Sequence, residues 1–302
     1  MSAVSKSARL QTERRRTNGK LFLIFVGPAA FLFLCVVVIP FLYGLGLTFT
    51  DWNGILPHPH FVLFDNYIGA FQDASFWQSL LLTLGYVAAS VVLINAIAFV
   101  LAYLLTSGIK GQNFLRSAFF TPNLIGGIIL GFIWQFVFSR ALVPVGQSLG
   151  WELFSKSWLN EPVSAFWAMV VVTVWQYSGY MMIIYVAGFT GVPKDLLEAA
   201  SIDGCTGMQT TRHIVLPLMV PSFVICLFLS IQRCFMVYDL NLSLTNGGPY
   251  NSTRLAAMHV YQKTFVSKEY GVGQAQALIL FVVVALITIS QVMLGKRKEV
   301  DA

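Results

Sequence analysis

The chain has 302 residues, 57% of them hydrophobic and 11% charged, with a mean hydropathy of +0.72. A soluble domain of that composition lacks the polar surface to cover itself, so the chain reads as an integral membrane protein. The formal net charge of +6 is scattered among apolar blocks, with no zinc-ligand spacing and no basic helix of a DNA-reading kind, which argues against a nucleic-acid partner. Cys35, Cys205, Cys226 and Cys234 stand singly, without CxxC spacing, and read as small apolar residues rather than a disulfide framework.

In chain order, residues 1–20 form a basic segment with Lys6, Arg9, Arg14, Arg15, Arg16 and Lys20. A bilayer core is crossed by about 20 apolar residues in a helix. Six blocks meet that length: 21–47, 76–105, 118–138, 163–189, 217–237 and 275–294. Blocks this long and uniform predict helices rather than barrel strands. The first is too long for a secretory signal and lacks a small-residue cleavage site. The chain is therefore expected to be all-α, with one six-helix transmembrane domain over 21–295 and a basic tail over 296–302. Of the 19 Lys and Arg residues, 13 fall on the side of the two termini. That asymmetry predicts both termini, and the loop after the fourth span, to be cytoplasmic.

Two polar features stand out within the spans. Thr173, Gln176, Tyr177 and Tyr180 are spaced to share one face of the fourth helix. With Trp175 beside them they offer amide and hydroxyl groups next to aromatic planes, suited to the hydroxyls and apolar ring face of a sugar. Interhelical hydrogen bonds plus an aromatic belt would produce the same spacing. The fifth span carries Gln232 and Arg233, then Tyr238, Asp239 and Asn241 towards its outer end. Arg233 has no acid three or four positions away, so it must snorkel, face water or pair with another element. Pro122 with Asn123, and Pro217 with Pro221, remove backbone donors and predict breaks in the third and fifth spans. Residues 255–265 are expected to form an outer interfacial helix.

The loop over 190–216 is organised rather than merely polar. Pro193 suits a helix start, Asp195 and Glu198 put negative charge near its positive end, and Gly204 suits a left-handed stop. Thr206 and Gln209 have capping-box spacing for a second helix. The prediction is helix, turn, helix. Ala199 and Ala200 would let its surface approach a neighbour closely, as in a docking element, although a connector lying on lipid headgroups fits the same physics.

The residues of this loop carry a resemblance. In "EAASIDGCTGMQTTRHIVLP", Glu198, Ala199 and Ala200 are followed by three residues to Gly204, nine to Ile214, then Leu216 and Pro217. This resembles the EAA motif of ABC importer permeases, EAA-x3-G-x9-I-x-LP. "LTNGGPYNSTRL" at 244–255, followed by "VYQKTF" and "YGVGQAQAL", is similar to the segment before the last span in carbohydrate importers of the maltose, glycerol-phosphate and multiple-sugar type. In detail the chain resembles the maltose-permease-like member of the permease pair, but its 48–75 connection is far too short for the extra outer domain of the enterobacterial maltose subunit.

The resemblance implies a type I ABC importer permease fold in a bacterial plasma (inner) membrane. It implies a coupling helix carrying Glu198, Ala199, Ala200, Asp203, Gly204, Ile214, Leu216 and Pro217. It implies a second permease subunit, two cytoplasmic ATPase subunits that bind ATP and Mg, and an extracytoplasmic sugar-binding protein. The carbohydrate path would run along Thr173, Trp175, Gln176, Tyr177, Tyr180, Gln232, Arg233, Tyr238 and Asp239.

The chain has no GxxxxGK[ST] loop, no nucleophile elbow and no metal-ligand cluster, so no catalytic or cofactor-binding residue is assigned to it. His58 and His60 read as solvated loop histidines. The rival reading, a self-sufficient secondary transporter or channel, would favour paired intramembrane acids or inverted repeats. Every Asp and Glu here lies in a loop, a tail or at a span's edge.

Overall fold

The computed structural model describes residues 22, 24–55 and 59–297. The basic segment over 1–20, His58 and Lys298 lie outside the described residues. The elements are α1 (Ile24–Leu47), α2 (Asp65–Gln72), α3 (Ala74–Thr106), α4 (Gln112–Phe120), α5 (Gly127–Leu149), α6 (Pro162–Thr190), α7 (Lys194–Ile202), α8 (Gly207–Leu218), α9 (Val220–Phe235), α10 (Asp239–Leu244), α11 (Ala256–Tyr261) and α12 (Tyr270–Lys296). Helices α1, α3, α5, α6 and α12 are each long and apolar enough to cross a bilayer. A sixth span is broken: α8 and α9 meet at 64°. The break has a local cause, since Pro221 offers no N–H to the carbonyl of Pro217 and its ring crowds it.

The third span departs from the expected 118–138. Pro122 sits at the start of a 3-10 turn, Thr121–Leu124, and Ile125 and Gly126 follow with extended backbone, ψ 125° and 143°. The apolar block is thus cut in two. The membrane-crossing helix begins at Gly127 and runs past Arg140 to Leu149. Hydropathy alone missed this because the residues on both sides of the cut are equally apolar.

The core is built on α3 and α6, which run side by side in parallel. Tyr86 pairs with Thr173, Asn95 with Tyr185, and Phe99 with Phe189, all at nearly the same sequence offset. Close approach of α4 to this pair depends on Gly179, where a methyl group would land on the carbonyl oxygen of Phe119. Helix α9 lies antiparallel to α6, with Phe223 against Tyr185 and Cys226 against Met181. Asn95 ties the three together. Its Nδ2 donates to Ser230 Oγ at 3.0 Å, and its Oδ1 accepts from Tyr185 OH at 2.8 Å.

These contacts sort the connections to two ends. The 107–111 turn, the α6–α9 connection and the last turn of α12 lie at one end; Gly295 of α12 packs on Val224 near the start of α9. At the other end Asp73 caps α3, with Oδ1 accepting from the N–H groups of Ser75 and Phe76. Its Oδ2 accepts from Gln276 Nε2 at 3.0 Å and lies 3.4 Å from His259 Nε2 and 3.8 Å from Lys263 Nζ. Residues 255–265 are helical as expected, but Ala256, Met258 and His259 are buried against the bundle rather than lying free at an interface. Asn241, fully buried, anchors the preceding loop by donating to Thr253 O and accepting from Leu255 N–H.

Two outcomes follow. Tyr185→Phe removes the donor to Asn95 Oδ1, and we predict a loss of about 0.6 kcal/mol, and no more than about 1.7, in detergent-mixture unfolding, matching the average and maximum for hydrogen bonds between membrane helices. Burial, reinforced by Arg254, holds the His259 imidazole below its ordinary pKa of 6.5, against the pull of Asp73. The packed state therefore favours neutral His259. Stability contributed at this end is full above about 6.5 and declines as pH falls towards the lowered value. Hydrogen exchange at 256–266, corrected for intrinsic rates, should be faster at pH 5.5 than at 7.5, and His259→Gln should erase the difference.

Candidate functional site

At the end that carries the α6–α9 connection, the polar segment folds as helix, turn, helix. Pro193 takes the cap position, one residue ahead of α7, with φ −58° and ψ 130°. Asp195 lies in the first turn, where the helix dipole favours negative charge. Gly204 adopts φ +76°, and the Cys205 and Gly204 N–H groups donate to the carbonyls of Ala200 and Ser201 at 2.9 and 3.2 Å. This is the Schellman closure, which left-handed glycine allows without a Cβ penalty. The next helix opens with a full capping box: Thr206 N–H donates to Gln209 Oε1 at 2.8 Å, and Gln209 N–H to Thr206 Oγ1 at 3.4 Å.

The two alanines divide. Ala200 is buried on its own subunit and Leu197 packs towards the core, whereas Leu196, Glu198, Ala199 and Asp203 are exposed. Ile202 and Met208, 86% and 78% exposed, add apolar surface to the same loop. Ile214, Leu216 and Pro217 are half-buried and carry the chain into the broken span. One end of the bundle thus presents a stiff, capped element with an exposed carboxylate among exposed apolar side chains.

At membrane depth the predicted polar stripe splits. Thr173 is fully buried and hydrogen-bonded to Tyr86 OH. Gln176, 5% exposed, donates to the Ile125 carbonyl at 3.0 Å and so satisfies an acceptor that the α4–α5 break sets free. Trp175 does not stand beside the stripe. It lies on another face of α6, edge-on to Trp134 with ring centroids 5.4 Å apart, in an apolar surface groove with Leu93 and Pro122. A 200° turn separates it from Thr173 on a helix of 3.6 residues per turn.

Tyr177 and Tyr180 remain half-exposed, and Arg233 joins them from α9. The guanidinium carbon lies 4.9 and 5.0 Å from their ring centroids, and Nη1 donates to Asn123 Oδ1 at 3.3 Å. Arg233 thus pairs with other elements through two cation–π contacts and an amide. Gln232 and Asp239 are exposed, and Tyr238 packs against Tyr261 at a tilt of 40°, with centroids 4.7 Å apart. Asn123 and Tyr261 were missed as members of this cluster. Asn123 was legible as a polar residue at a break inside a span, but nothing local ties Tyr261 to Tyr238.

Several apolar spans, a capped helical loop at one end and a polar cluster between spans define a polytopic α-helical membrane protein. The match to known proteins is specific: residues 94–300 fit the family of binding-protein-dependent transport system inner membrane components, and the chain belongs to it. The probable starch degradation products transport system permease protein AmyD of Thermoanaerobacterium thermosulfurigenes is 41% identical, covering 94% of this chain and 97% of that one. The multiple sugar-binding transport system permease protein MsmF of Streptococcus mutans is 32% identical over 86% of this chain and 90% of its own. The fold matches a chain in the crystal structure of a bacterial ABC transporter involved in alginate import, with a TM-score of 0.80 at 20% identity, covering 96% and 99% of the two chains. A chain in the crystal structure of a bacterial alginate ABC transporter in complex with an alginate pentasaccharide-bound periplasmic protein matches with a TM-score of 0.79 at 19% identity, covering 94% and 96% of the two chains.

Gly204 offers a test of the loop. No atom lies within 4 Å of an added Cβ, so Gly204→Val should act through backbone strain alone, about 1–2 kcal/mol. Hydrogen exchange at 200–205 should rise accordingly, and Gly204→Asn should show a smaller rise.

Proposed function

We propose that this permease imports a carbohydrate, an oligosaccharide by the names of its relatives, in an ATP-driven complex. It pairs there with a second permease, two cytoplasmic ATPase subunits carrying ATP and Mg, and an extracytoplasmic sugar-binding protein. The supporting observation is the capped loop whose exposed face is joined through short, structured links to the spans holding Tyr177, Tyr180 and Arg233. Both termini and this loop are taken to face the cytoplasm of a bacterial cell, with residues 296–302 as the tail. Contacts place the loop and the last turn of α12 at one end, in keeping with the Lys and Arg asymmetry.

In this reading Glu198 makes the charge contact with the ATPase, and Ala199, Leu196, Ile202 and Met208 fill its cleft. Ala200, Asp203 and Gly204 shape the turn, while Ile214, Leu216 and Pro217 pass its movement to α9. Closure of the ATPases pushes α7 and the α8–α9 break, and the spans rearrange around the sugar because sugar and partners contact the two states differently. Tyr177, Tyr180, Gln232, Arg233, Tyr238 and Asp239 border the path. Their aromatic faces meet the apolar face of a sugar ring and their polar atoms its hydroxyls. Thr173 and Gln176 support the path from behind, holding α6 to α3 and to the α4–α5 break, and Trp175 supports the third span.

The first test is purification in mild detergent from the native membrane: a second permease and an ATPase are expected to accompany the chain, and an isolated chain that moves solute would overturn the reading. In the complex, Glu198→Ala should lower substrate-stimulated ATP hydrolysis at least tenfold with assembly intact; unchanged hydrolysis would sink its role. Tyr180→Ala and Arg233→Met should lower sugar uptake while ATPase subunits still co-purify.

A further inference from the structure

Beside the contact between the start of α9 and the last turns of α12, on the side of the coupling loop, runs an open cleft of about 980 Å³. Its walls are mostly apolar, Val220, Val224 and Leu227 on α9 with Leu286 and Leu294 on α12, and Ser290 and Gln291 are its polar members. The deep edge is stiff. Gln291 Nε2 donates to the Val224 carbonyl at 3.2 Å, and Gly295 lets the two helices meet there. Phe223, also in the wall, stacks on Phe99 with centroids 5.5 Å apart, so the floor is fixed by α3.

Two features say what fits. From Leu286 to Gly295 the cleft runs nine residues along α12, about 13.5 Å at 1.5 Å per residue. A single leaflet of hydrocarbon is about 15 Å deep, half of a core of about 30 Å. The second feature is charge. Lys296 follows Gly295 directly, Arg297 is next, and Arg212 lies one turn before Leu216, which lines the same cleft. All three are exposed, and among the described residues none has an acidic partner within 4 Å. A leaflet-long apolar slot, with three exposed basic residues on the two segments that bound its loop end, is complementary to an amphiphile with one or two acyl chains and an anionic head.

The geometry points to a bound anionic phospholipid: acyl chain in the α9–α12 cleft, phosphate among Arg212, Lys296 and Arg297. Such a lipid fills the space beside the broken span and stiffens its contact with α12. The inference requires only that α9 and α12 lie in the bilayer, not any particular transported substrate.

The test is native mass spectrometry on the full chain, purified with whatever subunits accompany it and titrated with dioleoyl-phosphatidylglycerol or dioleoyl-phosphatidylcholine. One equivalent of phosphatidylglycerol should be retained in preference to phosphatidylcholine. Arg212→Gln, Lys296→Gln and Arg297→Gln, all at exposed positions, should weaken it about fivefold per charge removed. Leu294→Trp keeps the charges but fills the slot from an exposed position, and should lower retention at least tenfold; Ser290→Phe repeats that test at a second site. Equal retention of the two lipids would overturn the site, as would retention unchanged by both slot-filling variants. Displacement by millimolar inorganic phosphate would mark a mere phosphate site and overturn the lipid assignment.

Discussion

Lipid offers no hydrogen bonds, so a polar group at membrane depth is costly unless the protein or a wet cavity supplies its partner. That constraint selects the arrangement of this bundle. Asn95 has both a donor and an acceptor to place, and only the meeting of α3, α6 and α9 supplies Ser230 and Tyr185 together. The break between α4 and α5 frees the Ile125 carbonyl, and Gln176 reaches across from α6 to take it. Arg233, the costliest group in the fifth span, is held between two tyrosine rings and the Asn123 amide. Each of these three side chains thus ties its helix to a neighbouring element.

Function inherits this economy. The parallel α3–α6 pair is the rigid frame, and α9 leans on it through the Asn95 node. Chain that is broken twice, before Gly127 and at Met219, brings Asn123 and Arg233 to the same place on the α6 surface. One of those breaks leads straight into the capped loop at the bundle's end. The same break thus stands between the capped loop and the helix that carries Arg233. The opposite end is tied differently, through Asp73 and Asn241, whose buried or half-buried side chains hold the outer loop and α11 against the spans.

The loop at 190–216 was legible almost atom by atom. Left-handed glycine, capping-box spacing and helix-start chemistry act over four to six residues, and the observed Schellman closure and capping box fall where those rules put them. Only the division of Ala199 from Ala200 needed the rest of the molecule, because which side of α7 faces the bundle depends on how α6 ends. The stripe on α6 was less legible. Its common face was correct for Thr173, Gln176, Tyr177 and Tyr180, but periodicity cannot say which part of that face is covered by α3 and the α4–α5 break and which is left open.

Length, composition and local spacing thus determined by themselves that the chain crosses a membrane with six apolar segments and carries a structured loop after the fourth. Those properties rest on transfer of side chains into lipid and on hydrogen bonds a few residues apart, both of which are local in the chain. Tertiary structure alone decided that α3 and α6 pack side by side, that the third span resumes at Gly127 after the break at Pro122, that Trp175 turns away from Tyr177, and that Tyr238 meets Tyr261. These depend on which distant group satisfies each buried donor and acceptor, and the partners lie from about 20 to more than 100 residues away along the chain.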